Sequence, residues 1–169
     1  MILIPVDGIW CLACDACSEI AVSKLVDVEK IQADRYNEII VSDLDMLKKH
    51  VLNLHPRIET MLTYHRRPLK LLYQQGRSLS SQLLDDQKDI CARIVKDPFS
   101  RKLINSFGNP LFIKSFLDKD QLAISYEGIA AMQLPTIDYL HPNTRNGKDN
   151  FVPIIIARFD EDGMLSVLQ

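Results

Sequence analysis

The sequence has few of the features that mark membrane-spanning, secreted or nucleic-acid-coating chains. No apolar run approaches the roughly 20 residues that a helix needs to cross a bilayer, and the N-terminal MILIPVDGIW lacks the basic and long apolar regions of a secretory leader. The formal net charge is only -2, so any RNA contact would have to be local rather than driven by bulk charge. We therefore expect a cytoplasmic protein with no membrane partner.

Glycine and proline are also scarce, at 6 and 8 residues, and no low-complexity or linker segment interrupts the chain. Hydrophobic residues make up 47% and charged residues 25% of the chain, which is ordinary globular composition and too apolar for a disordered protein. A length of 169 residues suits one hydrophobic core. The sequence thus predicts a single domain over residues 1–169.

Short apolar runs alternate with amphipathic segments along most of the chain. Strands are predicted at 2–5, 39–41, 69–73, 90–95 and 110–116. Helices are predicted at 18–30, 42–54, 56–65, near 78–86, and at 97–108. The segment between the first strand and the first helix is interpreted as a loop. Strands that alternate with helices predict an α/β fold.

Particular residues are suited to begin or end these helices. They are Ser18, Ser42 or Asp43, and Pro56 at N-termini, and Gly108 at a C-terminus. Residues 141–150 have the composition of an exposed loop, and residues 153–169 are interpreted as a hairpin that turns at 160–163. Because a hairpin adds antiparallel pairing, we expect a twisted open mixed sheet, with parallel and antiparallel strands, flanked by helices.

The segment WCLACDAC places Cys11, Cys14 and Cys17 at three-residue intervals, and Cys91 would supply a fourth thiolate for zinc or an iron-sulfur cluster. A ferredoxin-like run would continue with a nearby fourth cysteine before proline, which this sequence lacks. Free cysteine also behaves as a small buried hydrophobe. Packed thiols are therefore the favoured interpretation, and a metal or redox site is the alternative.

Basic residues are concentrated between positions 48 and 70. The candidates for contact with RNA phosphates are Lys48, Lys49, Arg66 and Arg67, with Tyr64 available to stack on a base. The alternative is that Lys48 and Lys49 form only the solvated side of an amphipathic helix.

Several phrases occur in an order similar to that of one known family. ILIPVDGIWCLACDA (2–16) resembles the opening PTDTVYGLxCDA, and YHRRPLKLLY resembles WPGPLTLIL. ICARIVKDPFSRKLINSFGNPLFIKSF resembles a strand with an arginine, a helix, and a strand that leads into Ser-x-Asn. The family is YrdC/YciO, which has the fold of the threonylcarbamoyl-AMP synthases. The resemblance covers nearly the whole chain and implies that fold.

The resemblance also implies a chemistry. Synthases of this family bind ATP, threonine and bicarbonate, and they transfer the carbamoylated amino acid to AMP with release of pyrophosphate during modification of tRNA. Such a site needs cations and hydrogen-bond donors around the triphosphate. By resemblance, ATP and magnesium are the expected cofactors, and a nucleotide and RNA, either tRNA or double-stranded RNA, are the expected partners.

Most of the residues that would perform this chemistry are replaced. The family's Lys-x-Arg pair falls on Glu29 and Ile31, Ser-x-Asn ends in Leu117, and the Ser-Thr pair of the closing strand falls on Ile154 and Ile155. Loss of one donor or cation from a preorganised site typically removes roughly 3 kcal/mol of transition-state stabilisation. The joint loss predicts a degenerate synthase site.

Some polar residues persist or are added. The candidates for a nucleotide or substrate pocket are Asp7, Trp10, Lys70, Arg93, Lys114 and Ser115. Lys70 and Lys114 stand where the family carries uncharged residues, and they would build an altered anion site. An active synthase, or a related enzyme that forms acyl-adenylates with such a rebuilt site, is the alternative hypothesis. A shift of the alignment by one residue would also bring Lys30 or Arg35 to the Lys-x-Arg position.

Overall fold

The computed structural model describes residues 1–28, 36–117, 124–130, 132, 134, 137–142, 154–159 and 165–168. The strands in these residues are β1 (Ile2–Val6), β2 (Ile9–Asp15), β3 (Glu38–Val41), β4 (Leu69–Tyr73), β5 (Ile90–Ile94), β6 (Leu111–Ser115), β7 (Tyr139–Leu140), β8 (Ile155–Phe159) and β9 (Leu165–Val167). The α-helices are α1 (Glu19–Val26), α2 (Leu44–His50), α3 (Pro56–Tyr64), α4 (Pro98–Phe107) and α5 (Tyr126–Ala130).

These strands form one sheet in the order β7-β1-β2-β6-β3-β5-β4-β8-β9. The pairs β1–β7, β3–β5 and β4–β8 are parallel, and the other neighbouring pairs are antiparallel. The predicted α/β class and the mixed sheet are therefore confirmed. None of the helices in the described residues combines the length and apolar character needed to cross a bilayer.

The first two strands form a hairpin that the sequence did not predict. Val6 pairs with Ile9, and the two residues between them, Asp7 and Gly8, have φ values of 47° and 86°. Two successive positive φ values are typical of a type I′ turn, for which Asp-Gly is a favoured sequence. The predicted loop at residues 9–17 is thus wrong over most of its length. The reason is that β2 is buried on both faces, so its apolar run lacks the alternation of a half-buried strand.

The starts and ends of the long helices follow the predicted signals. Ser18 accepts a hydrogen bond from the backbone of α1, and the Asp43 carboxylate accepts one at 2.8 Å from the Met46 amide. Asp97 caps α4 in the same way, and α4 is followed by Gly108 with φ of 88°.

The helix predicted near 78–86 is only a short 3-10 turn at Ser81–Leu83, while α5 and β7 had no clear sequence signal. The last two strands pair antiparallel, as the hairpin prediction requires. Their turn at 160–163 lies outside the described residues, as does most of the predicted loop at 141–150.

The left-handed φ value at position 108 favours glycine. A Cβ built there would meet no heavy atom within 4 Å, so the preference comes from the backbone conformation and not from a steric contact. We expect Gly108→Ala to lower the free energy of unfolding by about 1 kcal/mol through backbone strain alone. Chemical denaturation measures the change. Gly108→Asn should be destabilised less, since asparagine tolerates this conformation. Equal losses in the two variants would contradict the backbone explanation.

Candidate functional site

The register of the central strands places five polar side chains on one face of the sheet. Paired residues on neighbouring strands share a face, and residues two apart on one strand share it as well. The five are Cys11 of β2, Ser115 of β6, Glu38 of β3, Arg93 of β5 and Lys70 of β4.

Charged side chains of this face form a buried ion cluster, defined as Asp7, Glu38, Lys70 and Arg93. The Arg93 Nε atom donates to Glu38 Oε1 at 2.7 Å, and the Lys70 Nζ atom lies 2.5 Å from Glu38 Oε2. Arg93 also pairs through Nη1 with the Asp7 carboxylate. No side chain of the cluster is more than 9% exposed. Two carboxylates and two cations make the cluster neutral.

Asp7 also connects the cluster to the start of α4. Its Oδ1 atom accepts hydrogen bonds at 2.9 Å from the backbone amides of Lys96 and Asp97, and its own amide donates to Asp97 Oδ2 at 3.1 Å. This network uses both carboxylate oxygens of Asp7. The residue that persists from the family's opening phrase therefore holds the β1–β2 turn against α4.

The electrostatics of the cluster favour its charged form. Burial opposes ionisation of Glu38, but the charges and hydrogen bonds of Lys70 and Arg93 outweigh burial and lower the pKa of this carboxyl below its ordinary value. Burial likewise opposes charge on Arg93, yet Glu38 and Asp7 raise the pKa of its guanidinium. Glu38 and Arg93 thus form an ion pair and not a neutralised acid and base.

Cys11 and Ser115 lie next to this cluster. The Cys11 Sγ and Ser115 Oγ atoms are 3.6 Å apart, and both side chains are buried. Burial raises the pKa of the Cys11 thiol to about 12, although the Ser115 hydroxyl and Arg93 act in the opposite direction. A thiol with this pKa remains protonated at neutral pH, so Cys11 is not an activated nucleophile.

Two of the predicted pocket residues face the other side of the sheet. Lys114 precedes Ser115 on β6, and its Nζ atom donates to the Val26 carbonyl at 2.7 Å. Trp10 precedes Cys11 on β2, and its ring packs 5.4 Å from the ring of Tyr126. Because successive side chains of a strand alternate between faces, Lys114 and Trp10 do not join the ion cluster. The structure brings together Asp7, Lys70, Arg93 and Ser115 from the predicted set.

The cysteine motif does not converge on one point. Cys11 and Cys14 are separated by three positions of the same strand, so their side chains project from opposite faces, and Cys17 lies beyond the end of that strand. Cys11, Cys14, Cys17 and Cys91 form no disulfide with one another. Among the residues that the structure describes, no three His, Cys, Asp or Glu side chains are grouped as metal ligands.

The predicted RNA candidates lie in two different settings. Lys48 forms an ion pair with Glu59 at 2.5 Å, and its carbonyl, like that of Lys49, accepts a hydrogen bond from Arg77. Arg66 and Arg67 are exposed, at the turn between α3 and β4.

A basic cleft of about 450 Å³ lies on α4, lined by Lys96, Pro98, Arg101, Lys102, Asn105 and Ser106. The Lys96 Nζ atom donates to the His65 carbonyl at 2.7 Å. This contact places the backbone of Arg66 beside the cleft. The exposed arginine pair and the cleft are therefore neighbours along the chain and in space, and we call Arg66, Arg67 and the cleft residues together the α4 surface.

The replaced family positions are only partly described. Glu29, Lys30, Ile31 and Arg35 lie outside the described residues. Leu117, Ile154 and Ile155 are described, and the last of these is 44% exposed on β8 beside Leu69. Apolar side chains at these positions supply no hydrogen bond to a phosphate.

Glu38 is the central residue of the cluster, and the sequence analysis missed it. Its signal was nevertheless present, since three strands each carry one charge inside an apolar run: EIIV, LKLLY and ICARI. A charge that is fully buried needs a partner of opposite sign. Matching buried charges of opposite sign among such strands would have identified Glu38 as the partner of Lys70 and Arg93.

The geometry defines the class of protein as an α/β domain with a mixed sheet, to which the described residues contribute nine strands, and with a charged cluster at the centre of that sheet. A family model described as Sua5_yciO_yrdC, Telomere recombination, matches residues 1–149. The chain belongs to the Sua5/YciO/YrdC family, as the sequence resemblance predicted. None of the curated proteins matches it significantly.

Solved structures of this family share the fold at low sequence identity. The chain matches a variant of P. abyssi Sua5 with a TM-score of 0.80 and 15% identity, covering 99% of this chain and 51% of that one. For E. coli YciO the TM-score is 0.78 at 17% identity, with 99% and 81% covered. Full-length HypF in a phosphate- and nucleotide-bound form gives 0.77 at 20% identity, with 99% and 26% covered. This chain thus spans about half of the Sua5 chain and a quarter of the HypF chain.

The ion cluster makes stability depend on acid pH through Glu38. Since the pKa of Glu38 is lower in the folded state, its contribution is present above its ordinary value of 4.5 and is lost as the pH falls through the folded-state pKa. We expect Glu38→Gln to lower the free energy of unfolding by roughly 3 kcal/mol at pH 7.

The difference in the free energy of unfolding between the wild-type chain and Glu38→Gln should therefore become smaller when the pH is lowered from 7 to 3. Denaturation at each pH measures it. Taking the difference cancels the titration of carboxyls such as Asp43, whose pKa is also lowered. A difference that stays constant with pH would show that the charge of Glu38 does not stabilise the fold.

Proposed function

We propose that this chain is a catalytically inactive Sua5/YciO/YrdC-family domain. The observation that carries the proposal is the neutral, buried ion cluster in which Glu38 engages both Lys70 and Arg93. On this proposal ATP and magnesium are not its cofactors, and threonylcarbamoyl-AMP is not its product.

A triphosphate needs cations that are available to it. Binding a polyanion at Lys70 or Arg93 would require it to displace Glu38, and breaking a buried ion pair costs about 3–5 kcal/mol. The retained Asp7 adds a second negative charge at the same place. The electrostatics of this face therefore disfavour the substrate that a synthase must bind.

The hypothesis of a rebuilt active site loses support from the placement of its cations. It combined Lys70, Lys114 and Arg93, but Lys114 lies on the opposite face and bonds to the end of α1. Glu38 and Asp7 together balance Lys70 and Arg93, so neither cation presents an uncompensated charge. The apolar Leu117, Ile154 and Ile155 also lack the donors that would hold developing charge.

Pyrophosphate release tests the proposal directly. Purified protein given ATP, magnesium, threonine and bicarbonate should release no pyrophosphate above the rate without threonine, while an active synthase in the same assay serves as positive control. The HypF structure contains phosphate and nucleotide, so the nucleotides are tested for binding as well. A ligand at 100 times its dissociation constant adds about 2.7 kcal/mol of stability.

We expect no change in melting temperature with ATP and magnesium, with AMP, or with ATP plus threonine. Threonine-dependent release of pyrophosphate, or joint stabilisation by ATP and threonine, would contradict the proposal and restore the active-synthase hypothesis.

A second candidate function is RNA binding through the α4 surface. The specific observation is the contact of Lys96 with the His65 carbonyl, which joins Arg66 and Arg67 to a cleft that also contains Arg101 and Lys102. Grouped cations of this kind favour phosphate contacts, and release of counterions makes such binding strongly dependent on salt.

Fluorescence anisotropy with labelled tRNA and duplex RNA measures this binding across a salt series. We expect Arg66→Glu or Arg101→Glu to weaken binding to every RNA by a similar factor, whatever its sequence. Each variant should also reduce the slope of log K against log salt concentration by about 1 for each phosphate that it no longer neutralises. Lys24→Glu on α1 is the matched control, because it changes the charge equally at an exposed site outside this surface. Equal losses of affinity in all three variants would indicate a bulk-charge effect and exclude a local site.

A further inference from the structure

A largely apolar pocket of about 380 Å³ lies at the C-terminal end of β2. Its walls include Cys14 and Asp15 of β2, Ala21 of α1, and Leu103 and Phe107 of α4. Protein cavities that bind small organic molecules have volumes of roughly 300–1,000 Å³. The residues that line this pocket belong neither to the ion cluster nor to the α4 surface, so the pocket is a separate site.

The wall of this pocket carries one carboxylate that is not paired with a cation. The Asp15 Oδ1 atom accepts a hydrogen bond at 2.9 Å from the Cys17 amide, and its Oδ2 atom is 3.4 Å from Asn109 Nδ2, which is a long and weak contact. Both neighbours are uncharged. Within the part of the chain that the structure describes, no cation forms an ion pair with Asp15. Its Oδ2 atom can therefore accept a further, charged donor.

The charge of the pocket favours a cation as ligand. Met1 also lines the pocket, but its N-terminal ammonium is already paired with the carboxylate of Asp138. That pair is neutral, so the charge of Asp15 remains uncompensated. An anion would be repelled by Asp15, whereas an ammonium group would form a charge-assisted hydrogen bond with it.

The other walls favour a flat aromatic ligand. Phe107 and Tyr139 line the pocket and are 50% and 46% exposed, so their rings are available to stack on another ring or to face an ammonium group. Cys14 adds a polarizable sulfur, which makes favourable contacts with aromatic rings. Burial raises the pKa of the Cys14 thiol to about 12, so this thiol stays protonated and does not react with the ligand.

We propose that this pocket binds a small aromatic ammonium ion, with the ring among the apolar walls and the ammonium group on the carboxylate of Asp15. The inference goes beyond the proposed function and does not depend on it, because the two sites share no residue. Released pyrophosphate would refute the proposed function and leave this inference unaffected.

Three ligands with one ring system test the class of ligand. Tryptamine, tryptophol and indole-3-propionate all carry an indole with a two-carbon chain, which ends in an ammonium, a hydroxyl and a carboxylate group, respectively. Isothermal titration calorimetry of the pure protein at pH 7 measures their affinities. We expect tryptamine to bind at one site and tryptophol to bind at least about tenfold more weakly, because charge-assisted hydrogen bonds are stronger than neutral ones. Indole-3-propionate should show no binding.

Two variants locate the binding, and a third is the matched control. Asp15→Asn keeps the shape and an acceptor but removes the charge, so the difference in affinity between tryptamine and tryptophol should disappear. Ala21→Leu fills the pocket and should weaken the binding of both ligands by about tenfold or more. In the control, Asp27→Asn removes the same charge at an exposed position on the end of α1, and the difference should persist.

The far-ultraviolet circular dichroism of each variant shows whether it folds. If Asp15→Asn does not fold, the three ligands and Ala21→Leu still decide the question. Absence of binding at millimolar tryptamine, equal affinities for tryptamine and tryptophol, or unchanged affinity in Ala21→Leu would overturn the inference. A dimer in sedimentation that Phe107→Asp makes monomeric would also overturn it, because a second copy of the chain would then cover the pocket.

Discussion

The contact of the Glu38 carboxylate with Arg93 and Lys70 constrains the centre of this structure more than any other polar interaction. Burial of three charges is strongly unfavourable unless they meet in one arrangement. A shift of β3, β4 or β5 by one residue would move its charge to the other face of the sheet and leave the remaining charges unpaired. The ion pairs therefore specify the register of three central strands, and Asp7 extends the constraint to the β1–β2 turn and α4.

Local signals predicted the elements whose boundaries depend on individual residues. The capping by Asp43 and the C-terminal Gly108 are clear in the sequence because capping chemistry acts within one turn. By contrast, β2 was missed because burial on both faces removes the alternation of apolar and polar residues. The helix predicted near 78–86 was too long, because Ser80, Ser81 and Gln82 with their apolar neighbours fit a short 3-10 turn equally well. Tertiary packing decides such cases, and a single sequence contains little of that information.

The sequence named some of the residues that the structure brings together, but it did not name Glu38 or indicate that the group is neutral. Comparison with family phrases identified Asp7, Arg93 and Ser115 as retained and Lys70 as added, and the structure places these four on one side of the sheet. It could not identify Glu38, because position 38 lies outside the phrases that were compared. The sign of a site depends on the sum of its charges, and the two predicted cations lie beside two carboxylates in a neutral cluster.

A site that binds a triphosphate must keep cations unpaired in the absence of ligand, and this destabilises the empty fold. On the proposed function, Glu38 and Asp7 remove that destabilisation, since they compensate Arg93 and Lys70 whether or not any ligand is present. The fold itself matches its relatives at TM-scores near 0.8. On the same proposal, restoring the missing donors alone would not restore a synthase site, because the internal carboxylates would still occupy the cations that the substrate requires.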